Sequence, residues 1–73
     1  MKETYQVRRA RLCMTNEQVA EAISSPFRTI TAKRVSEAMN LYQKNQYLQP
    51  QQQWIVNQVL AYFSKREKEL GYF

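Results

Sequence analysis

Residues 15–40 read TNEQVAEAISSPFRTITAKRVSEAMN, and the spacing of apolar residues in this stretch decides the fold class. Thr15 followed three residues later by Gln18 is a capping box, in which each side chain satisfies a backbone N–H that a first helical turn leaves without a partner. A helix is therefore expected to start at Asn16. Val19, Ala20, Ala22 and Ile23 give it an apolar stripe, with Glu17 and Glu21 on the water side. Ser24-Ser25-Pro26 ends it, because proline disfavours the helical conformation in the residue before it. Ser25 is then expected to cap a further helix with Pro26 at its first position, where the missing N–H costs nothing. That helix is expected to run from Pro26 to about Lys44.

Turned at 100° per residue, Phe27, Ile30, Val35, Ala38, Leu41 and Tyr42 fall on one side of this helix, and Thr29, Ala32, Lys33, Ser36, Asn40 and Gln43 on the other. Arg34 falls among the apolar positions by angle, and its long stem is expected to carry the charge outward. On the amino-terminal side, Tyr5, Val7, Ala10 and Met14 form a loosely helical pattern, although the alternation of Tyr5 and Val7 also suits the start of a strand. On the carboxyl-terminal side, residues 45–49 read as a connector. Pro50 then opens a longer helix carrying Trp54, Ile55, Val59, Leu60, Tyr62 and Phe63, followed by the charged run of residues 65–69 and a cap at Gly71.

The fold class that follows is all-α: a compact four-helix domain with a longer C-terminal helix. With one glycine and two prolines, the chain lacks the turn residues of a sandwich or barrel. Its 73 residues make one domain, divided into a DNA-binding part (1–48) and a C-terminal packing or dimerisation helix (49–73). A lone Cys13 and no histidine leave neither a disulfide nor a ligand set for structural zinc, so no metal and no cofactor is expected, and a reducing, cytoplasmic setting fits. Cys13 itself is expected to be a buried structural thiol. No run approaches the roughly 18 apolar residues that span a bilayer, so no membrane partner is expected.

Lysine and arginine number 11 against 6 acids, all glutamate, for a net charge of +5. That balance favours a polyanionic partner through counterion release. Enzyme chemistry finds no support, since a general base would have to be Glu, Lys or Tyr without histidine or aspartate, and no glycine-rich loop is present to hold a phosphate. No catalytic residue and no small-molecule ligand is evident.

The segment from Val19 to Ile30 resembles the helix-turn-helix of small DNA-binding regulators of bacteria and phages, which commonly runs apolar-Ala-x-x-apolar, a turn, then Ser or Thr, x, Arg, Thr, apolar. The likeness extends without a gap over Thr15 to Asn40, about a third of the chain. It implies that Val19 and Ile23 are core positions, that Ala20 is the small residue where the two helices cross, and that Arg28-Thr29-Ile30 begins the recognition helix. Ser24 stands where glycine is usual and Ser25 where an apolar residue is usual; Phe27 is expected to fill the apolar place.

A recognition helix needs donors and small side chains on its outward face, because base edges in the major groove present acceptors and methyl groups. Arg28, Thr29, Thr31, Lys33, Arg34, Ser36 and Asn40 are the candidates for contact with double-stranded DNA, and no acid occurs from Ala22 to Ser36. Arg8, Arg9 and Arg11 form a second basic cluster, suited to phosphates or to a merely solvated helix face. Tyr5, Tyr42, Tyr47 and Trp54 are expected in the core. Trp54, Ile55, Val59, Tyr62 and Phe63 present a wide apolar face, suited to a homodimer reading two half-sites or to packing on the rest of the chain. The function expected is that of a sequence-specific transcriptional regulator. The alternative is a small helical protein–protein interaction module, such as an anti-repressor or adaptor, whose basic face meets an acidic partner.

Overall fold

Three of the helix starts are set by threonine hydroxyls. In a computed structural model, which describes residues 4–71, Thr4, Thr15 and Thr31 each adopt an extended backbone and accept a hydrogen bond from the N–H three residues on, at Val7, Gln18 and Arg34. Each thereby satisfies a donor that the helix cannot. Thr15 and Gln18 form the full capping box, with the Thr15 N–H donating to Gln18 Oε1 at 2.9 Å. The elements that result are α1 (Tyr5–Arg11), α2 (Asn16–Ile23), α3 (Ala32–Gln43) and α4 (Pro50–Glu69), with no strand among the described residues. The chain is an all-α four-helix domain, as its apolar spacing predicts.

The helix ends are as regular as the starts. Cys13, Asn45 and Gly71 follow the C-caps of α1, α3 and α4 with φ of 57°, 56° and 84°, and each donates its N–H to the carbonyl three residues back, at Ala10, Tyr42 and Lys68. At α1 and α3 the next N–H adds the second bond of a Schellman motif, Met14 to Arg9 O and Gln46 to Leu41 O. Asparagine and glycine tolerate this left-handed backbone best. Cys13 holds it as well, and because the turn points its side chain outward the thiol is exposed, which corrects the expectation of a buried one.

The start of α3 also differs from expectation. Pro26 does not open a helix; residues 25–28 form a tight turn in which Ser25 N–H donates to Arg28 O (2.8 Å) and Arg28 N–H to Ser25 O (3.1 Å). The delay has a local reason: Thr29, Ile30 and Thr31 are β-branched in a row and favour an extended chain, and Thr31 then caps α3. Ser24 fixes the path, donating from Oγ to Ala20 O (2.7 Å) and accepting from Ile30 N–H (2.9 Å). Ile30 is thereby turned into the core, and Phe27, expected there, is 97% exposed at the tip of the turn.

The core is one cluster drawn from every helix. Val19, Ala20 and Ile23 of α2 meet Val35, Ala38 and Met39 of α3 and Ile55, Val56, Val59 and Phe63 of α4. Tyr5 and Leu12 bring in α1, whose Val7 and Ala10 face outward against the pattern first read there. Tyr5 lies stacked on Phe63, ring centroids 5.6 Å apart, and donates its hydroxyl to Asn16 Oδ1 at 2.6 Å. Burial raises the pKa of that phenol above its ordinary 10.0, with Arg9 opposing and Glu17 adding to the effect. Tyr42 and Trp54 are half-buried against the cluster, whereas Tyr47 is exposed, contrary to expectation. The Cα trace measures 32 × 32 × 16 Å, so the helices lie in a plate rather than a ball.

Candidate nucleic-acid interface

The residues expected to touch DNA separate into two groups according to what already holds them. In the first group are those on α3 and the turn before it. Thr29, Thr31, Lys33, Arg34 and Asn40 are exposed, and Ser36 is half-buried. Lys33, Glu37, Asn40 and Lys44 recur at the three- and four-residue spacing that aligns side chains along one helix face, with Arg34 at its edge. Arg34 thus points to water, away from the apolar side to which its angle along a longer helix assigned it. No ion pair among the described residues engages Arg28, Lys33 or Arg34.

Arg28 is exposed but not loose. Its guanidinium lies 4.5 Å from the centre of the Trp54 ring, a cation–π contact that ties the turn to the first part of α4. Periodicity along a single helix contains no signal for this pairing, because it depends on how the turn folds back. The same folding leaves Arg28 and Thr29, expected to begin a recognition helix, on the loop ahead of α3.

The second group is the N-terminal arginine cluster, which is engaged within the molecule. Arg8 donates from Nε and Nη2 to Glu67 Oε1, and Arg11 donates from Nη1 to Glu67 Oε2 at 2.8 Å. Arg9 donates to the Met14 carbonyl at 3.0 Å and stands over the Tyr5 ring. Glu67, part of the charged run of residues 65–69, is fully buried. Burial by itself would push its carboxyl up; the hydrogen bonds and charges of Arg8 and Arg11 outweigh this and hold the pKa below its ordinary 4.5. Glu67 therefore compensates part of the charge of Arg8 and Arg11.

The apolar face proposed for dimerisation is likewise consumed inside. Ile55, Val59 and Phe63 are buried in the core, and Trp54 and Tyr62 are packed against it. These residues present no open apolar surface of the expected width, because α1 and α3 cover it. A cavity of about 580 Å³ lies between α1, α3 and α4, lined by Arg8, Tyr42, Gln43 and Ser64 among others, and none of Arg28, Thr29, Lys33 or Arg34 borders it. Among the described residues no helix is long and apolar enough to cross a membrane. Set against known protein families, curated proteins and solved structures, the chain matches none.

Proposed function

We propose that the chain binds double-stranded DNA through the first half of α3 and the turn before it, and acts as a sequence-specific transcriptional regulator. The observation that supports this reading best is the distribution of charge: Arg28, Lys33 and Arg34 stand exposed and, among the described residues, form no ion pair, in a stretch free of acids from Ala22 to Ser36. Recognition helices read base edges chiefly with residues near their N-terminal end, which is where this surface lies. Lys33 and Arg34 suit guanine O6 and N7, Asn40 suits adenine, and Glu37 suits the amino group of cytosine. The hydroxyls of Thr29 and Thr31 and the first turn of α3 suit a phosphate alongside.

In this reading Arg8 and Arg11 hold α1 in place, and DNA is met by a single domain. Selection of bound sequences from random duplex DNA, followed by titration of the winning duplex at several salt concentrations, tests the proposal. The expected result is a consensus site whose affinity falls steeply with salt. Absence of salt-dependent duplex binding removes the reading and leaves the protein-interaction alternative.

A further inference from the structure

Phe27 is the most exposed large apolar side chain of the described residues, at 97%, and it is held out rather than hanging loose. The turn that carries it is closed on both sides by the reciprocal Ser25–Arg28 backbone bonds, and Pro26 fixes φ beside it. Arg28, the next residue, is anchored on Trp54. A closed turn with a proline and an exposed phenylalanine at its tip thus immediately precedes Arg28, in a stretch whose next charged residues, Lys33 and Arg34, are exposed cations.

We propose that Phe27 is a wedge that enters between two stacked base pairs of duplex DNA, partly unstacking them. The inference rests on the DNA-binding reading and goes beyond it, since it assigns a deformation of the DNA to a residue outside the recognition helix. Arg28 beside the ring and the exposed cations Lys33 and Arg34 at the start of α3 favour a polyanion as the partner of this part of the molecule. The apolar surface that a polyanion offers is the face of its bases. The closed turn fixes the backbone that carries the ring, so the freedom lost on insertion is confined to the side chain. Pyrimidine–purine steps unstack most easily, and the wedge therefore selects such a step at a position the recognition helix does not read.

The test uses the full chain and its selected duplex, with 2-aminopurine placed at successive steps. Wild type is expected to raise the fluorescence at one pyrimidine–purine step, and Phe27→Ala to abolish the rise and to bind on the order of tenfold more weakly with the salt dependence unchanged. Phe27→Leu, which keeps an apolar wedge, is expected to retain part of both, and circular dichroism checks that all three proteins carry the same helices. Salt-dependent binding by wild type without a fluorescence rise at any step overturns the wedge and leaves the function standing. So does a Phe27→Ala protein equal to wild type in affinity and fluorescence, which marks the ring as a contact for some other macromolecule. If wild type binds no duplex, the function and the wedge fall together.

Discussion

Ser24 stands where tight helix-turn-helix connections hold glycine, and its hydroxyl supplies what glycine lacks. It ties the last turn of α2 to the backbone of Ile30, at the point where the chain must turn inward before α3. Ser24→Ala leaves the half-buried Ile30 N–H without that acceptor and is expected to cost about 1–3 kcal/mol in urea denaturation. Lys33 has no such role. Lys33→Ala is expected to leave the unfolding midpoint unchanged and to lower specific DNA affinity by about 1–3 kcal/mol for a lost base contact, measured by fluorescence anisotropy. At this scale the sequence disclosed residue types well and pairings poorly. The outward position of Lys33 and the inward position of Ile23 follow from spacing alone, whereas Ser24 with Ile30 is a pairing made by the turn and Arg28 with Trp54 and Arg8 with Glu67 are long-range, so no helical period encodes any of them.

Helices whose ends carry two agreeing signals were legible, and the one with competing signals was not. α2 has a capping box at its start, and α4 has Pro50 at its first position and Gly71 beyond its end. For α3 two caps competed, Ser25 with Pro26 and Thr31, and the later one prevails where β-branched Thr29, Ile30 and Thr31 favour an extended chain and Ile30 is drawn into the core. The arrangement makes Ala20, buried where α2 packs into the core, a sensitive position. Ala20→Leu is expected to lower stability by about 1–3 kcal/mol through overpacking, read as a lower melting temperature. α1 depends on a different device. Its attachment through Glu67 is complete at neutral pH, because the folded carboxyl titrates below its unfolded value of 4.5. As pH falls past 4.5 and through the lowered folded value, the unfolded chain takes up the proton more readily and that stabilisation is lost. Acid titration followed by tyrosine fluorescence is expected to report this loss, and Glu67→Gln to flatten it. Replacing Arg8 and Arg11 together by alanine strands a buried carboxylate and is expected to cost about 3–5 kcal/mol.

A plate 16 Å thick has room for one shared core and no second layer behind it. That is why the broad apolar face of α4, which the sequence offered equally for a dimer or for internal packing, is needed internally. Ile55→Lys and Val59→Lys are therefore expected to abolish the cooperative thermal transition instead of yielding folded monomers, and wild type is expected to sediment as a monomer at micromolar concentration. A folded, monomeric Val59→Lys protein would restore the dimer face. The choice was hidden in the sequence because hydrophobic width states how much surface must be covered and leaves open which chain covers it.

The ion pair of Arg8 and Glu67 joins residues 59 apart in the chain. A ribosome delivers Arg8 well before Glu67, so α1 emerges before its counter-charge exists. The helix pair α2–α3 has its mutual contacts available sooner, and the order of synthesis thus separates the surface proposed for DNA from the fastening of α1. Nascent chains stalled short of Glu67 should accordingly hold α1 as an unfastened, protease-sensitive segment, and the arrival of Glu67 is the event that fastens it.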